Sequence, residues 1–342
     1  MRRIRLSFAD LKVEFVDRDR ALKQLSELAE KGTYPVYVIY GPEGCGKTAF
    51  LRQAKVILEE EFGYHVIYTN PLAERFEEIL EFTPSVKDIV KEVLGVFPEP
   101  YSKIVDVAIS IAYRVIKKFS RPRVAVLMDD IFQAVGLDKA EAYAKTLLNL
   151  IEYPPREYER IAVLVTSSEG ITWERVGRHR WVTIRIMWNM SRNGFEELYR
   201  FVPDPKLDFE TTWRLTGGSP MILSGLLRAG WRVEHVVNDL IVSRNLEEAL
   251  LRLNDESLEI LREAIEDPDV IFERLAEEPV QRLRDKLIEK NLIIRIWDRD
   301  EYFWIDVPPP ERDPGLGIGK RYAWQSPLHR EAVRRVLSAS SK

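Results

Sequence analysis

Short, uninterrupted apolar runs alternate with longer stretches of helical period over the first two hundred residues. The runs are 36–40 (VYVIY), 64–68 (YHVIY), 123–128 (RVAVLM), 161–165 (IAVLV) and 181–186 (WVTIRI). Runs of this length without polar alternation predict strands covered on both faces, as in parallel sheets. The helical stretches fall between them. Leu22, Leu25 and Leu28 recur at helical spacing in a helix over 17–31, which Asp17 would cap and Gly32 would end. Further helices are predicted at 49–61, 73–82, 85–94, 102–119 and 139–153, and at 191–201 behind a Ser191 cap, with Pro84, Pro98 and Pro100 as punctuation. The β/α alternation predicts an α/β fold: a three-layer P-loop type core around a mostly parallel five-stranded sheet. The stretch 73–119 exceeds the minimal α/β unit and reads as an extra packing layer or a partner surface.

The pattern changes downstream. Residues 207–246 read as wholly helical apart from Thr216-Gly217-Gly218-Ser219-Pro220, where the glycines permit a sharp turn and Pro220 suits a first helical turn. Helices at 257–265 and 278–290 precede two apolar segments, 291–297 and 301–306, read as a hairpin across Asp298-Arg299-Asp300. Helices followed by a hairpin predict a winged helix, closed by a helix at 326–337. The expected organisation is a core domain over 1–204, a small helical lid over 205–250 and a winged-helix domain over 251–342.

Length and composition narrow the classes. A chain of 342 residues, 31% charged and 45% hydrophobic, has the material for two or three globular domains. The net charge of −4 excludes a global basic field for nucleic acid. From residue 281 to the last, thirteen Lys/Arg stand against nine Asp/Glu, a local excess of +4 that permits phosphate contact without requiring it. One cysteine, Cys45, excludes an internal disulfide framework and fits a reducing compartment. The basic start MRRIRLSFADLKVEF lacks a sustained apolar core, and the apolar-leaning stretch 104–116 is broken by Asp106, Ser110 and Arg114. The expectation is a cytoplasmic protein with no membrane insertion.

The candidate chemistry centres on Gly41-Pro42-Glu43-Gly44-Cys45-Gly46-Lys47-Thr48, between a predicted strand and a helix opening at Ala49. This is G-x-x-x-x-G-K-[ST] in the strand–loop–helix setting of a phosphate-binding loop. Its backbone N–H groups and the helix start attract a phosphate chain. Lys47 would reach the β- and γ-phosphates, and the Thr48 hydroxyl would ligate Mg²⁺. Asp129 and Asp130 end a later strand. Adjacent carboxylates repel and so favour a cation site: Asp129 would bind Mg²⁺, and Asp130 would orient or deprotonate the attacking water. Thr166-Ser167-Ser168 ends another strand. Its hydroxyls, Ser167 among them, would bond a γ-phosphate or the water, or else cap the next helix. Arg175, Arg178 and Arg180 precede the last predicted strand, and spacing does not choose among them as a phosphate-sensing arginine.

Together these features resemble the archaeal ATPase family of P-loop proteins, in the STAND branch close to AAA+ enzymes and Orc/Cdc6 initiators. The resemblance runs through Phe15-Val16-Asp17-Arg18, the P-loop, Asp129-Asp130, Thr166-Ser167-Ser168, Gly177-Arg178, Gly217-Gly218-Ser219-Pro220 and the segment Tyr322 to Leu328 (YAWQSPL). It implies an ATP/ADP-binding, Mg²⁺-dependent ATPase, with Val16 and Asp17 lining the adenine pocket, Pro220 closing over the base and Arg178 as the sensing arginine. The chain departs from the family in Asp130, where many AAA+ proteins have Glu, and in Asp17-Arg18, where Gly-Arg is common. Alternatives to a working ATPase are a slow nucleotide switch or scaffold and a DNA-associated ATPase. Oligomerisation, and a DNA or protein partner for the winged helix, stay open.

Overall fold

The computed structural model describes residues 2–73, 75–97, 103–168, 170, 172, 176–296 and 298–340. The strands are β1 (Arg5–Phe8), β2 (Leu11–Glu14), β3 (Val36–Tyr40), β4 (His65–Thr69), β5 (Leu80–Phe82), β6 (Arg123–Met128), β7 (Arg160–Ser167), β8 (Val182–Ile186), β9 (Ile293–Arg295) and β10 (Tyr322–Trp324). The helices up to β8 are α1 (Asp19–Lys31), α2 (Lys47–Glu60), α3 (Phe76–Ile79), α4 (Lys87–Val96), α5 (Ile104–Lys118), α6 (Ile131–Val135) and α7 (Leu137–Glu152). Those after it are α8 (Arg192–Arg200), α9 (Phe209–Thr216), α10 (Pro220–Arg228), α11 (Val233–Ser243), α12 (Leu246–Leu251), α13 (Asp255–Glu266), α14 (Val270–Glu273), α15 (Glu278–Glu289) and α16 (Pro327–Ser340). The chain forms two compact units, one of Met1–Ile4, Asp19–Tyr40 and Lys47–Ile186, the other of Arg5–Arg18, Gly41–Gly46 and Met187–Lys342. No helix among the described residues is long and apolar enough to cross a membrane.

The first unit holds the sheet, in the order β5-β4-β6-β7-β3-β8. From β4 to β8 every neighbouring pair is parallel, which matches the expected five parallel strands. Val38, Ile39, Val126 and Val163 are fully buried, as strands covered on both faces require. A sixth strand was not expected. Residues 80–82 form β5, antiparallel to β4, where the sequence reads as helix to 82. An edge strand leaves backbone groups without partners. β5 supplies them to β4, and α3 is cut to one turn. The topology also puts β7 between β3 and β6, so the two motif-bearing strands are not neighbours. α1 starts at Asp19, not at Asp17, because Asp17 and Arg18 both adopt left-handed backbone at φ 60° and 66°. The helix expected from 102 begins at Ile104, behind Lys103 in a non-helical conformation; residues 98–102, with Pro98 and Pro100, lie outside the described residues.

In the second unit β1 and β2 form an antiparallel hairpin. Val13 joins Met190, Phe195, Leu198, Val202 and Leu223 in one small core. Ser191 caps α8 as expected, its hydroxyl accepting the Gly194 N–H at 3.0 Å. A larger core gathers Leu226, Val236, Leu240, Ile260, Leu283, Trp324 and Val333, and so runs continuously across the 250/251 boundary. The expected hairpin is corrected: β9 pairs with β10, not with 301–306. Residues 301–303 form a 3₁₀ turn capped by Asp300, whose carboxylate accepts the Tyr302 N–H at 2.7 Å. A short side chain that bonds the backbone two residues on competes with a strand ladder. Arg299 then draws the long connection together by donating to the carbonyls of Pro310, Glu311, Gly319 and Lys320. Trp297, in the first expected strand of that hairpin, lies outside the described residues.

Candidate functional site

In the first unit the register brings polar groups together at the tips of β6 and β7. Met128 stands opposite Val165, so Asp129 and Thr166 follow side by side. Thr166 Oγ1 donates to Asp129 Oδ1 at 2.5 Å and accepts the Asp130 N–H at 3.0 Å. Tyr68, from the strand on the other side of β6, donates its hydroxyl to Asp129 Oδ2 at 3.2 Å. Asp130 sits at φ 45°, which turns its carboxylate to accept both the N–H and the hydroxyl of Ser168, at 3.0 and 3.1 Å. Asp129 is 1% exposed. Burial pushes its pKa up and the Asp130 charge adds to this, against hydrogen bonds from Thr166, Thr48 and Tyr68 that lower it. Desolvation therefore wins, and this carboxylate is short of positive charge. Among the described residues no cluster of three or more His, Cys, Asp or Glu could hold a metal. A Mg²⁺ ion fits a sparser set, since it keeps waters and substrate phosphates around one or two protein oxygens. Thr48 Oγ1 and an Asp129 carboxylate oxygen, hydrogen-bonded to each other, are two oxygens that would suit it.

The loop segment 41–46, in the second unit, is held by residues remote in sequence. A Cβ on Gly41 would lie 2.0 Å from the Met187 carbonyl oxygen, and one on Gly44 would lie 2.1 Å from Met221 Cβ on α10. Only glycine fits either contact, and Gly44 and Gly46 also take positive φ of 69° and 104°. Arg18, 3% exposed, donates to Cys45 O at 2.7 Å, Trp188 O at 2.8 Å and Asp306 Oδ2 at 2.7 Å. The Glu43 N–H donates to Gln325 Oε1 at 2.9 Å, while the Glu43 carboxylate pairs with Arg244. Gln325 O in turn accepts from Asn189 Nδ2 at 2.9 Å. His329 is buried beside Ser326, at 2.8 Å, and burial with the nearby Arg244 charge pushes its pKa down to about 3. Among the described residues Asn189 Oδ1, Arg244 Nε and His329 Nε2 have no hydrogen-bond partner. Cys45 is buried with its Sγ 3.6 Å from Met187 O, as a filler would be.

The other predicted residues separate. Lys47 is 4% exposed at the start of α2, with Thr48 and Ala49 following it in the first turn. Val16 packs on the small core that includes Leu223, and Pro220 opens α10 behind a Ser219 cap. The Asp17 carboxylate accepts from Ser191 N and Oγ at 3.3 Å, ahead of α8. The bond anchors the Asp17 side chain while its backbone stays left-handed at φ 60°. Ser167 points away from the carboxylates, to Thr172 Oγ1 at 2.6 Å. Side chains alternate along a strand, so Thr166 and Ser168 face Asp129 and Asp130 and Ser167 does not. Arg178 is 61% exposed and paired with Glu141 on α7 at 2.6 Å. Arg180 is also exposed, and Arg175 and Glu169 lie outside the described residues. Sequence reasoning missed Tyr68, Asn189, Arg244, Asp306 and His329, and singled out Gln325 only as part of the segment 322–328. Period two marks Thr166 and Ser168, but nothing in the sequence marks the others.

Residues 15–226, more than half of the chain, match the model of an ATPase domain found predominantly in Archaea. The chain belongs to this archaeal ATPase family. It is accordingly a P-loop ATPase domain with a C-terminal extension beyond the family's matched span. Among solved structures, the *Aeropyrum pernix* ORC1 protein in complex with DNA aligns over 96% of this chain and 93% of its own, at 16% identity and a TM-score of 0.40. The ADP form of the *A. pernix* ORC2 protein aligns over 94% and 92%, at 16% identity and 0.40. AMPPCP-bound DnaA from *Aquifex aeolicus* aligns over 96% and 91%, at 13% identity and 0.36. No curated protein matches the archaeal ATPase chain.

Proposed function

We propose that this chain binds ATP with Mg²⁺ and hydrolyses it, and that its lid and C-terminal module respond to the nucleotide held by the loop. The carrying observation is the buried Asp129, fixed by Thr166 and Tyr68 beside Asp130 and raised in pKa by burial. Such a group is best stabilised by a cation. When bound, Mg²⁺ supplies Lewis-acid neutralisation of the phosphate charge. Thr48 and Asp129 hold it. Residues 41–49 bind the phosphates through Lys47 and the N–H groups of Gly44, Gly46, Lys47 and Thr48, since Pro42 has none and that of Glu43 donates to Gln325. Asp130, aimed by Ser168, orients or deprotonates the water. Thr166 and Ser168 take the part first given to Ser167. Val16 and Pro220 bound the adenine, with Asp17 holding the segment that carries Val16. Arg178 meets a γ-phosphate after leaving Glu141. Catalysis is mainly positioning and charge stabilisation.

The coupling rests on Arg18, which bonds the loop carbonyl of Cys45 and Asp306 at once. A loop rearranged by nucleotide favours a different set of partners for Arg18 and Gln325, and so shifts the module's population of states. The lid over 205–250 and the winged-helix module over 251–342 share one core and move together in this reading. On α15, Arg282, Arg284 and Lys286 pair with Glu278, Asp285 and Glu289, which favours a protein-packing role over DNA contact.

Phosphate release from Lys47→Ala is the direct test: turnover should fall at least about 10²-fold. Hydrolysis at the parent rate would overturn the reading. Single-turnover rates and the copurifying nucleotide separate an ATPase from a slow switch. DNA binding that weakens steeply with salt would favour the DNA-associated alternative.

A further inference from the structure

The connection between β9 and β10 carries an apolar tip on an acidic stretch. Tyr302 is 63% exposed, Phe303 38% and Val307 47%. The two rings pack edge to face at 5.3 Å and 87°, and so present a preformed ridge. Asp298, Asp300 and Glu301 are exposed on the same stretch, while the half-buried Arg299 is turned to four carbonyls. A ridge of this kind excludes phosphate backbones by charge and attracts a basic, apolar surface.

The chain carries such a surface in its other unit. Ile89 and Glu92 of α4 and Tyr113, Arg114, Lys117 and Lys118 of α5 line a groove of about 370 Å³. Arg114 pairs with Glu92 at 3.3 Å, whereas Lys117 and Lys118 form no ion pair among the described residues. Tyr113 is 47% exposed in the groove, and Val96 at the end of α4 is 66% exposed. The groove has room for an aromatic side chain, apolar walls and an excess of positive charge.

We propose that the occupant of the groove is the Tyr302–Phe303 ridge of a second copy of this chain. Charge complementarity carries the assignment, with Asp298, Asp300 and Glu301 facing Lys117 and Lys118. Each copy offers one ridge and one groove, so copies associate either reciprocally as a two-fold dimer or head to tail as a ring or an open series. It does not depend on the nucleotide chemistry above.

Sedimentation velocity of the full chain at low salt tests this. The parent should associate into dimers or larger species as concentration rises, and added salt should dissociate them by screening the charges. Tyr302→Ser/Phe303→Ser and Lys117→Glu/Lys118→Glu should each be monomeric. Mixed in equal amounts they should form a 1:1 dimer and nothing larger, because one still has a groove and the other a ridge. That dimer also shows that both variants are folded. Three results overturn the proposal: a parent that stays monomeric, assembly insensitive to both variants, or a mixture that stays monomeric while both variants keep the parent's circular dichroism.

Discussion

The strand tips around Asp129 and the loop segment 41–46 each hold polar groups away from water, by opposite means. At the tips most bonds join neighbouring strands, as Thr166 to Asp129 and Ser168 to Asp130 do, and Thr48 adds one from the helix behind the loop. In the loop segment Arg18 reaches Asp306 across 288 positions and Glu43 meets Gln325 across 282. The tips are therefore a by-product of sheet register, which the cores on both faces fix. The loop's packing rests on residues remote in sequence, Asp306 and Gln325 among them. In the proposed function, the charge set assigned to chemistry sits on the sheet, and the part assigned to reporting nucleotide state sits where contacts are long-range.

The largest expected effect breaks the long-range side. Arg18→Met removes the buried ion-pair partner of Asp306, at a cost of about 3–5 kcal/mol in denaturant unfolding, and adding Asp306→Leu should recover most of it. An unchanged midpoint for Arg18→Met would mean that the pair holds nothing. Next, Asp129→Asn separates chemistry from stability at the tips. Hydrolysis should fall about 10²–10³-fold, while the melting temperature without nucleotide should rise, because the burial penalty and the repulsion from Asp130 both vanish. A lower melting temperature would contradict the account of that carboxylate.

Acid sensitivity should belong to the long-range side as well. His329 has a folded pKa of about 3 against an ordinary 6.5, so the unfolded chain binds its proton more readily. Its contribution is complete above the ordinary value and is lost as pH falls from there towards 3, by up to about 1.4 kcal/mol per pH unit. A stability–pH profile of His329→Leu should be flatter in that window, and an identical slope would remove His329 as the cause. The smallest pair sharpens the contrast, each worth about 1 kcal/mol. Ser168→Ala should lower kcat with nucleotide affinity unchanged, and Gln325→Ala should change nucleotide affinity with kcat unchanged. Equal effects on both quantities would dissolve the distinction between the two regions.

Much of this was legible in the chain. Five continuous apolar runs specified the parallel strands, because a strand buried on both faces has no polar alternation to hide. The glycines of the loop and the paired acids after Met128 marked the candidate chemistry, because each satisfies a local backbone or charge requirement. Composition marks a hydroxyl cluster at 166–168, but the pleat decides that Thr166 and Ser168 face the carboxylates while Ser167 meets Thr172. The edge strand β5, the place of β7 between β3 and β6 and the pairing of β9 with β10 were not legible. Strand neighbours are selected by packing across the whole domain, and a local pattern carries no record of them. Nor could the sequence join Arg18 to Asp306 or Gln325 to Glu43, because long-range partners share no spacing. The sequence determined which segments are strands and where phosphate chemistry can sit. Tertiary structure alone decided which side chains face that chemistry, since only folding brings distant residues within hydrogen-bonding reach.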